Sequence, residues 1–216
     1  MGNKGLSLCA LGKFDEAIAC WDQLLKREPL NHVAWSNKGV ALGQLGRSGE
    51  ALVCHDRAIE IAPNNERAWN YKGAELNSKG RQVEALACYK RALEINPNDA
   101  KSWYDKGVSL LALGRVTEAI ECWSRALEIN PHDDKAWANK GTALSELQQY
   151  AEALQCLDRA LTLNPQDKEA WFNKGVTLAY DLKDYRNGLK CFEIAHRLGF
   201  GQAVQGMQFC QQHLEQ

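Results

Sequence analysis

Apolar residues along this chain fall on a helical stripe that recurs every 34 positions. Trp35, Gly39 and Leu42 stand four and three apart. The trio returns as Trp69, Gly73 and Leu76, then Trp103, Gly107 and Leu110, then Trp137, Gly141 and Leu144, then Trp171, Gly175 and Leu178. Steps of four and three place each trio on one face of an α-helix. A second stripe follows in each unit, with a mostly large residue set between two alanines: Ala51, His55, Ala58; Ala85, Tyr89, Ala92; Ala119, Trp123, Ala126; Ala153, Leu157, Ala160. Each unit therefore predicts two amphipathic helices.

Punctuation agrees with that period. All five prolines, Pro29, Pro63, Pro97, Pro131 and Pro165, close the units. Proline lacks the amide proton and pushes the preceding residue out of helical conformation, so each one ends a second helix. Between the two helices of a unit lie turns such as LGR at 45–47 and 113–115, which are short enough only for an antiparallel hairpin.

Trp with Gly four on and Leu seven on, an Ala-large-Ala second helix and a closing Pro in a 34-residue frame resemble the tetratricopeptide repeat (TPR). The resemblance covers residues 1 to about 200. It implies an all-α fold, a right-handed α-α superhelix of antiparallel helix pairs in one domain over 1–216. The expected repeats are 1–31, 32–65, 66–99, 100–133, 134–167 and 168–200, followed by a capping helix at 201–214. One helix pair cannot bury its own stripe, so neighbouring units share a core. The Gly and Ala columns let helices approach closely, and the Trp column fills the space between units. A lysine precedes each Gly (Lys38, Lys72, Lys106, Lys140, Lys174) where the family usually has Leu. It is expected to pack its stem at the stripe's edge with the ammonium outward.

Both ends depart from the pattern. Met1 occupies the Trp column and Leu6, Leu8 and Cys9 have no preceding unit to cover them, which raises the expectation of native sequence upstream. The sixth unit holds one extra residue within 179–185 and lacks the closing proline. In the last segment Ala203, Val204, Met207, Cys210 and Leu214 predict the buried stripe of a capping helix.

Composition narrows the reading. The formal net charge of −1 provides no basic field for nucleic acid, and no apolar run approaches the roughly 20 residues needed to cross a bilayer. Partners are accordingly expected to be proteins or peptides, not nucleic acid or membrane. Cys20, Cys54, Cys88, Cys122, Cys156 and Cys191 recur with the period. On helices about 8–10 Å apart they lie beyond disulfide reach, so reduced, buried thiols and a cytoplasmic location are expected.

Catalytic and metal motifs are not found. The stretch from Gly5 to Lys13 lacks phosphate-loop spacing, and there is neither GxSxG nor HExxH. His55 occupies the large-residue column, where a packed and satisfied ring is expected. Cys210 and His213 make at most half a metal site. No cofactor is expected and the chain is not read as an enzyme.

Residues that repeat in every unit build the scaffold, so recognition is assigned to first-helix positions that differ between units. By resemblance to TPR arrays these line a concave groove that takes an extended peptide or a helix. The candidates are Asn37, Arg67, Asn70, Lys101, Tyr104, Val108, Lys135, Asn139, Phe172 and Asn173. Arg67, Lys101 and Lys135 share one column, a basic row suited to acidic side chains or a free carboxylate. A two-carboxylate clamp for chaperone tails is disfavoured, since Lys101 is followed by Asp105, Arg67 by Tyr71, and Val40, Ala74 and Val108 stand where a deep Asn is required. The function expected is a non-catalytic protein-binding scaffold. The alternatives are a self-assembling structural protein, with homo-oligomers formed through the N-terminal repeat, or the docking arm of a larger enzyme or complex.

Overall fold

The computed structural model describes residues 2–215. Among them are 13 α-helices, one π-helical turn and no strand. The chain divides into two compact units, Met1–Gly114 and Arg115–Gln216.

In the first unit the helices are α1 (Gly2–Ala10), α2 (Phe14–Arg27), α3 (His32–Gln44), α4 (Ser48–Ile61), α5 (Glu66–Ser78), α6 (Gln82–Ile95) and α7 (Ala100–Ala112). The second holds α8 (Val116–Ile129), α9 (Asp134–Glu146), α10 (Tyr150–Leu163), α11 (Lys168–Val176), α12 (Tyr185–Arg197) and α13 (Ala203–Leu214). The two expected helices of the repeat at 100–133, α7 and α8, fall in different units.

Local chemistry starts and stops these helices at regular places. Two residues after each proline an Asn or Asp caps a first helix: Asn31 accepts from Ala34 N–H, Asn65 from Arg67, Asp99 from Ser102, Asp133 from Ala136, and Asp167 from Glu169 and Ala170. First helices end in a left-handed residue. Gly12, Gly46, Gly80 and Gly114 have φ of 71–74°. In the turn after α3, Arg47 N–H closes back on Leu42 C=O at 2.9 Å, which satisfies a carbonyl the helix leaves open. Gln148 takes the same place after α9 with φ 61°, although it is not a glycine.

Within a helix pair the large residue of the second helix lies on the bare backbone of the first-helix glycine. An added Cβ would come within 2.5 Å of the His55 ring at Gly39, 2.6 Å of Tyr89 at Gly73, 2.9 Å of Leu157 at Gly141 and 2.8 Å of Phe192 at Gly175. Only glycine admits that approach. His55 is packed as expected, at 1% exposure, but its Nδ1 has no hydrogen-bond partner, so the ring is not satisfied. Its column gives it aromatic-sized space without the polar partner a histidine needs.

The Trp column is half-buried and makes a bond the sequence reading missed. Each indole Nε1–H donates to the carbonyl of the proline six residues earlier, Trp35 to Pro29 at 2.9 Å, Trp69 to Pro63 at 2.9 Å, Trp103 to Pro97 at 2.8 Å, Trp137 to Pro131 at 3.1 Å and Trp171 to Pro165 at 3.0 Å. Trp therefore ties the inter-repeat turn as well as packing against the second helix before it. The lysines do not send their ammonium groups outward. Each sits 5.0–5.9 Å from its Trp ring centroid. Three of them reach an Asp of the preceding second helix: Lys38 to Asp22 at 2.6 Å, Lys72 to Asp56 at 2.6 Å and Lys174 to Asp158 at 2.5 Å. The ring face attracts the cation and the carboxylate fixes its direction.

All eight cysteines are free; Cys9 and Cys20 are only half-buried, and the other six are buried. Burial raises the pKa of Cys54, Cys88 and Cys156, and pushes Cys191 up to about 11. These thiols are inert at neutral pH.

The extra residue of the sixth unit is absorbed at the end of α11, where Thr177–Asp181 winds as a π-helix. This form accommodates one inserted residue without breaking the helix. The capping helix α13 buries Ala203, Gly206 and Cys210, whereas Val204 is 37% and Leu214 45% exposed, so its stripe is rotated from the expected one. The rotation has an aromatic cause. Phe192 occupies the gap against Gly206, and Phe209 and His213 stack on Tyr180 and Tyr185 at 4.3 and 4.7 Å.

Candidate functional site

First-helix faces of the two units carry the candidate residues. In the first unit Asn37 on α3 is half-buried, and Arg67 on α5 and Lys101 on α7 are exposed. The two cations are not free, which corrects the expectation of an open basic row. Arg67 donates to the Tyr71 hydroxyl at 2.8 Å and lies 5.7 Å from that ring's centroid, contacts that raise its pKa. Lys101 pairs with Asp105 at 2.8 Å.

Asn70 is 2% exposed, and its amide donates to Ser102 Oγ at 3.1 Å and Asp105 Oδ2 at 3.0 Å. It joins α5 to α7 instead of facing a ligand. Two turns further on, Ser109 Oγ donates to Asn77 Oδ1 at 2.9 Å. Tyr104 and Val108 are half-buried on α7.

In the second unit Lys135 is exposed on α9 and Asn139 is half-buried. Phe172 leaves the expected groove set, packing between Phe192 and Phe200 with ring centroids 5.5 and 4.8 Å away. Asn173 is half-buried on α11. Its amide donates to Thr142 Oγ1 at 3.0 Å, and both residues line a cavity of about 340 Å³ between α9 and α11.

Ser145, Val176 and Thr177 complete the cavity's inner wall, and Glu146, Gln148, Tyr150 and Asp181 form its rim. Hydrogen bonds link the wall's hydroxyls to backbone carbonyls and to one another. Thr142 Oγ1 donates to Ala138 C=O at 3.0 Å, Thr177 Oγ1 donates to Asn173 C=O at 3.1 Å, and Ser145 and Thr177 hydroxyls lie 2.8 Å apart. The rim residues were not singled out from sequence. A signal was present, since Gln148 stands in the turn-glycine column and Asp181 lies in the stretch holding the extra residue.

A second cavity of about 420 Å³ lies between α10, α11 and α12, lined by Trp171, Leu178, Cys191 and Ile194. Its Lys174 and Asp158 are already paired with each other.

Antiparallel helix pairs whose variable residues collect on the first-helix faces define a helical-repeat binding scaffold. Tetratricopeptide repeat family models match residues 3–66, 100–133 and 134–167, and a TPR repeat model matches 73–114. The chain belongs to the tetratricopeptide repeat family and has its all-α solenoid fold. Membership supports a protein–protein interaction scaffold.

Similar solved structures include pilF of Pseudomonas aeruginosa, 20% identical, covering 95% of this chain and 94% of that one with a TM-score of 0.86. YrrB, described as a TPR protein with an unusual peptide-binding site, is 20% identical over 91% of this chain and 98% of that one, with a TM-score of 0.70. MamA is 22% identical over 75% of this chain and 95% of that one, with a TM-score of 0.66. No curated protein matches the sequence. Among the described residues no helix is long and apolar enough to cross a membrane.

Proposed function

We propose that the chain holds a peptide segment of a partner protein against its first-helix faces, as a binding scaffold and not as a catalyst. The observation that supports this most is the cavity between α9 and α11, open at the surface and lined by residues that differ from one repeat to the next. Thr142 stands where the other repeats have Leu6, Val40, Ala74, Val108 and Val176, so its hydroxyl distinguishes this repeat. Inter-repeat bonds such as Asn70 with Ser102 and Asn173 with Thr142 hold these faces in place before a ligand arrives, which lowers the ordering cost of binding.

Selection of a random dodecapeptide display library on the full chain tests this reading. Peptides that bind the native chain are expected to lose at least tenfold in affinity on Val108→Arg or Thr142→Arg, each of which fills a first-helix face. Val53→Arg, at a 65% exposed second-helix position, should leave binding unchanged. Helical circular dichroism should match in all three. A library that yields no binder, or binders indifferent to both first-helix variants, overturns the proposal.

A further inference from the structure

The departures from the repeat in the second unit converge on one place. Gln148 adopts a left-handed conformation where α1, α3, α5 and α7 are each followed by a glycine, and Thr177–Asp181 carries the π-helical insertion. Both segments border the cavity between α9 and α11. A non-glycine residue in this conformation costs about 1 kcal/mol relative to glycine, so the turn after α9 retains a side chain where those after α1, α3, α5 and α7 relax; Lys183, with φ 59°, is the other such residue among those described.

The cavity's chemistry leans towards acceptors. Thr142, Ser145 and Thr177 spend their hydroxyl protons on Ala138 C=O, on one another and on Asn173 C=O. One amide hydrogen of Asn173 goes to Thr142, which leaves its second N–H and its Oδ1. What the wall offers is therefore mainly oxygen lone pairs, those left on the three hydroxyls and Asn173 Oδ1, beside the donors of the remaining Asn173 N–H, the Gln148 amide and the Tyr150 hydroxyl. At the rim Glu146 and Asp181 add two carboxylates that make no ion pair among the described residues. Such a set accepts hydrogen bonds and favours positive charge. Among the described residues no cluster of three or more metal-ligating side chains occurs, so the two carboxylates fall short of a metal site. About 340 Å³ lies at the small end of the roughly 300–1,000 Å³ range of ligand pockets, which suits one long side chain and not a helix.

We propose that this cavity is an anchor site for an arginine side chain of the bound peptide. The guanidinium presents five donors in a plane and never loses its charge, matching a wall of acceptors with a carboxylate rim. Val176 gives the aliphatic stem an apolar contact. The assignment deepens the peptide-binding reading and rests on it; it also reverses, for this site, the acidic partner that the basic column suggested.

The test uses acetyl-arginine-amide as the probe, with acetyl-citrulline-amide as the neutral isostere, in amide-resolved NMR titrations of the full chain. Arginine is expected to shift the amides of Thr142, Ser145, Asn173 and Thr177, and citrulline to bind about tenfold or more weakly. Glu146→Gln with Asp181→Asn should remove that preference while leaving the spectrum of the first unit unchanged. Peptides from the display library should be enriched in arginine and lose about tenfold in affinity on the same double variant.

Arginine shifts spread over the surface, or equal in the double variant, overturn the anchor. Display peptides that bind a first-helix face without arginine enrichment overturn the anchor and leave the peptide-binding reading standing. An empty selection removes the peptide-binding reading itself.

Discussion

Replacing His55 by phenylalanine removes a titratable group from the core of the first unit while keeping a ring over Gly39, as Phe192 is kept over Gly175. The native ring is 1% exposed and its tilted neighbour Tyr71 lies 6.0 Å away between centroids. Desolvation lowers its pKa from 6.5 to about 4; Asp56 opposes this slightly and Lys72 adds to it. The folded state therefore disfavours the charged ring. Stability from this group is complete above the unfolded value near 6.5, declines as pH falls, and is lost once pH passes the folded value near 4. At about 1.4 kcal/mol per pH unit, the interval between 6.5 and about 4 is worth about 3 kcal/mol.

Urea unfolding followed by circular dichroism at pH 7, 5.5 and 4 should show native protein losing about 3 kcal/mol more than His55→Phe across that range. At pH 7 the variant should be at least as stable, because the orphaned Nδ1 costs about 1–3 kcal/mol in the native core. Parallel pH profiles for the two proteins would refute the reasoning, since carboxylates elsewhere titrate equally in both.

Gly73→Ala should destabilise by about 1–3 kcal/mol in urea despite alanine's better helix propensity, because its Cβ would stand 2.6 Å from the Tyr89 ring. Trp103→Phe should cost about 1–2 kcal/mol by thermal unfolding, through loss of the 2.8 Å bond to Pro97 C=O and a weaker seat for Lys106. Gln148→Gly should raise stability by about 1 kcal/mol in urea by relieving the left-handed backbone, and an unchanged midpoint would show that the turn is not strained.

Much of the scaffold was legible because its causes are local and repeated. Trp, Gly and Leu at steps of four and three announce a helix face, and proline announces its end, without reference to any other part of the chain. The candidate site was less legible for the same reason. Arg67 and Lys101 read as free cations because Tyr71 and Asp105, which occupy them, lie one turn further along and showed only as departures from another motif. Asn70 read as a surface amide because Ser102, its partner, comes from the next first helix. Phe172 read as a groove residue because the ring that draws it inward, Phe200, follows a later helix. Asn173, read as a groove residue, bonds to Thr142 of the preceding first helix.

Spacing and residue size in the sequence suffice for the period, the helix pairs, the close-approach glycine columns and the reduced thiols, whereas the seat of each large side chain on a glycine needed the packed helices. Tertiary structure alone decided which polar groups remain available. Hydrogen bonds and ion pairs between packed helices consume side chains far apart in sequence, 35 residues for Asn70 with Asp105 and 16 for Lys38 with Asp22. A cavity exists only where packed helices leave one, and the acceptor-lined cavity between α9 and α11 owes its rim to a π-helical turn and one left-handed glutamine, where the repeat could not be followed.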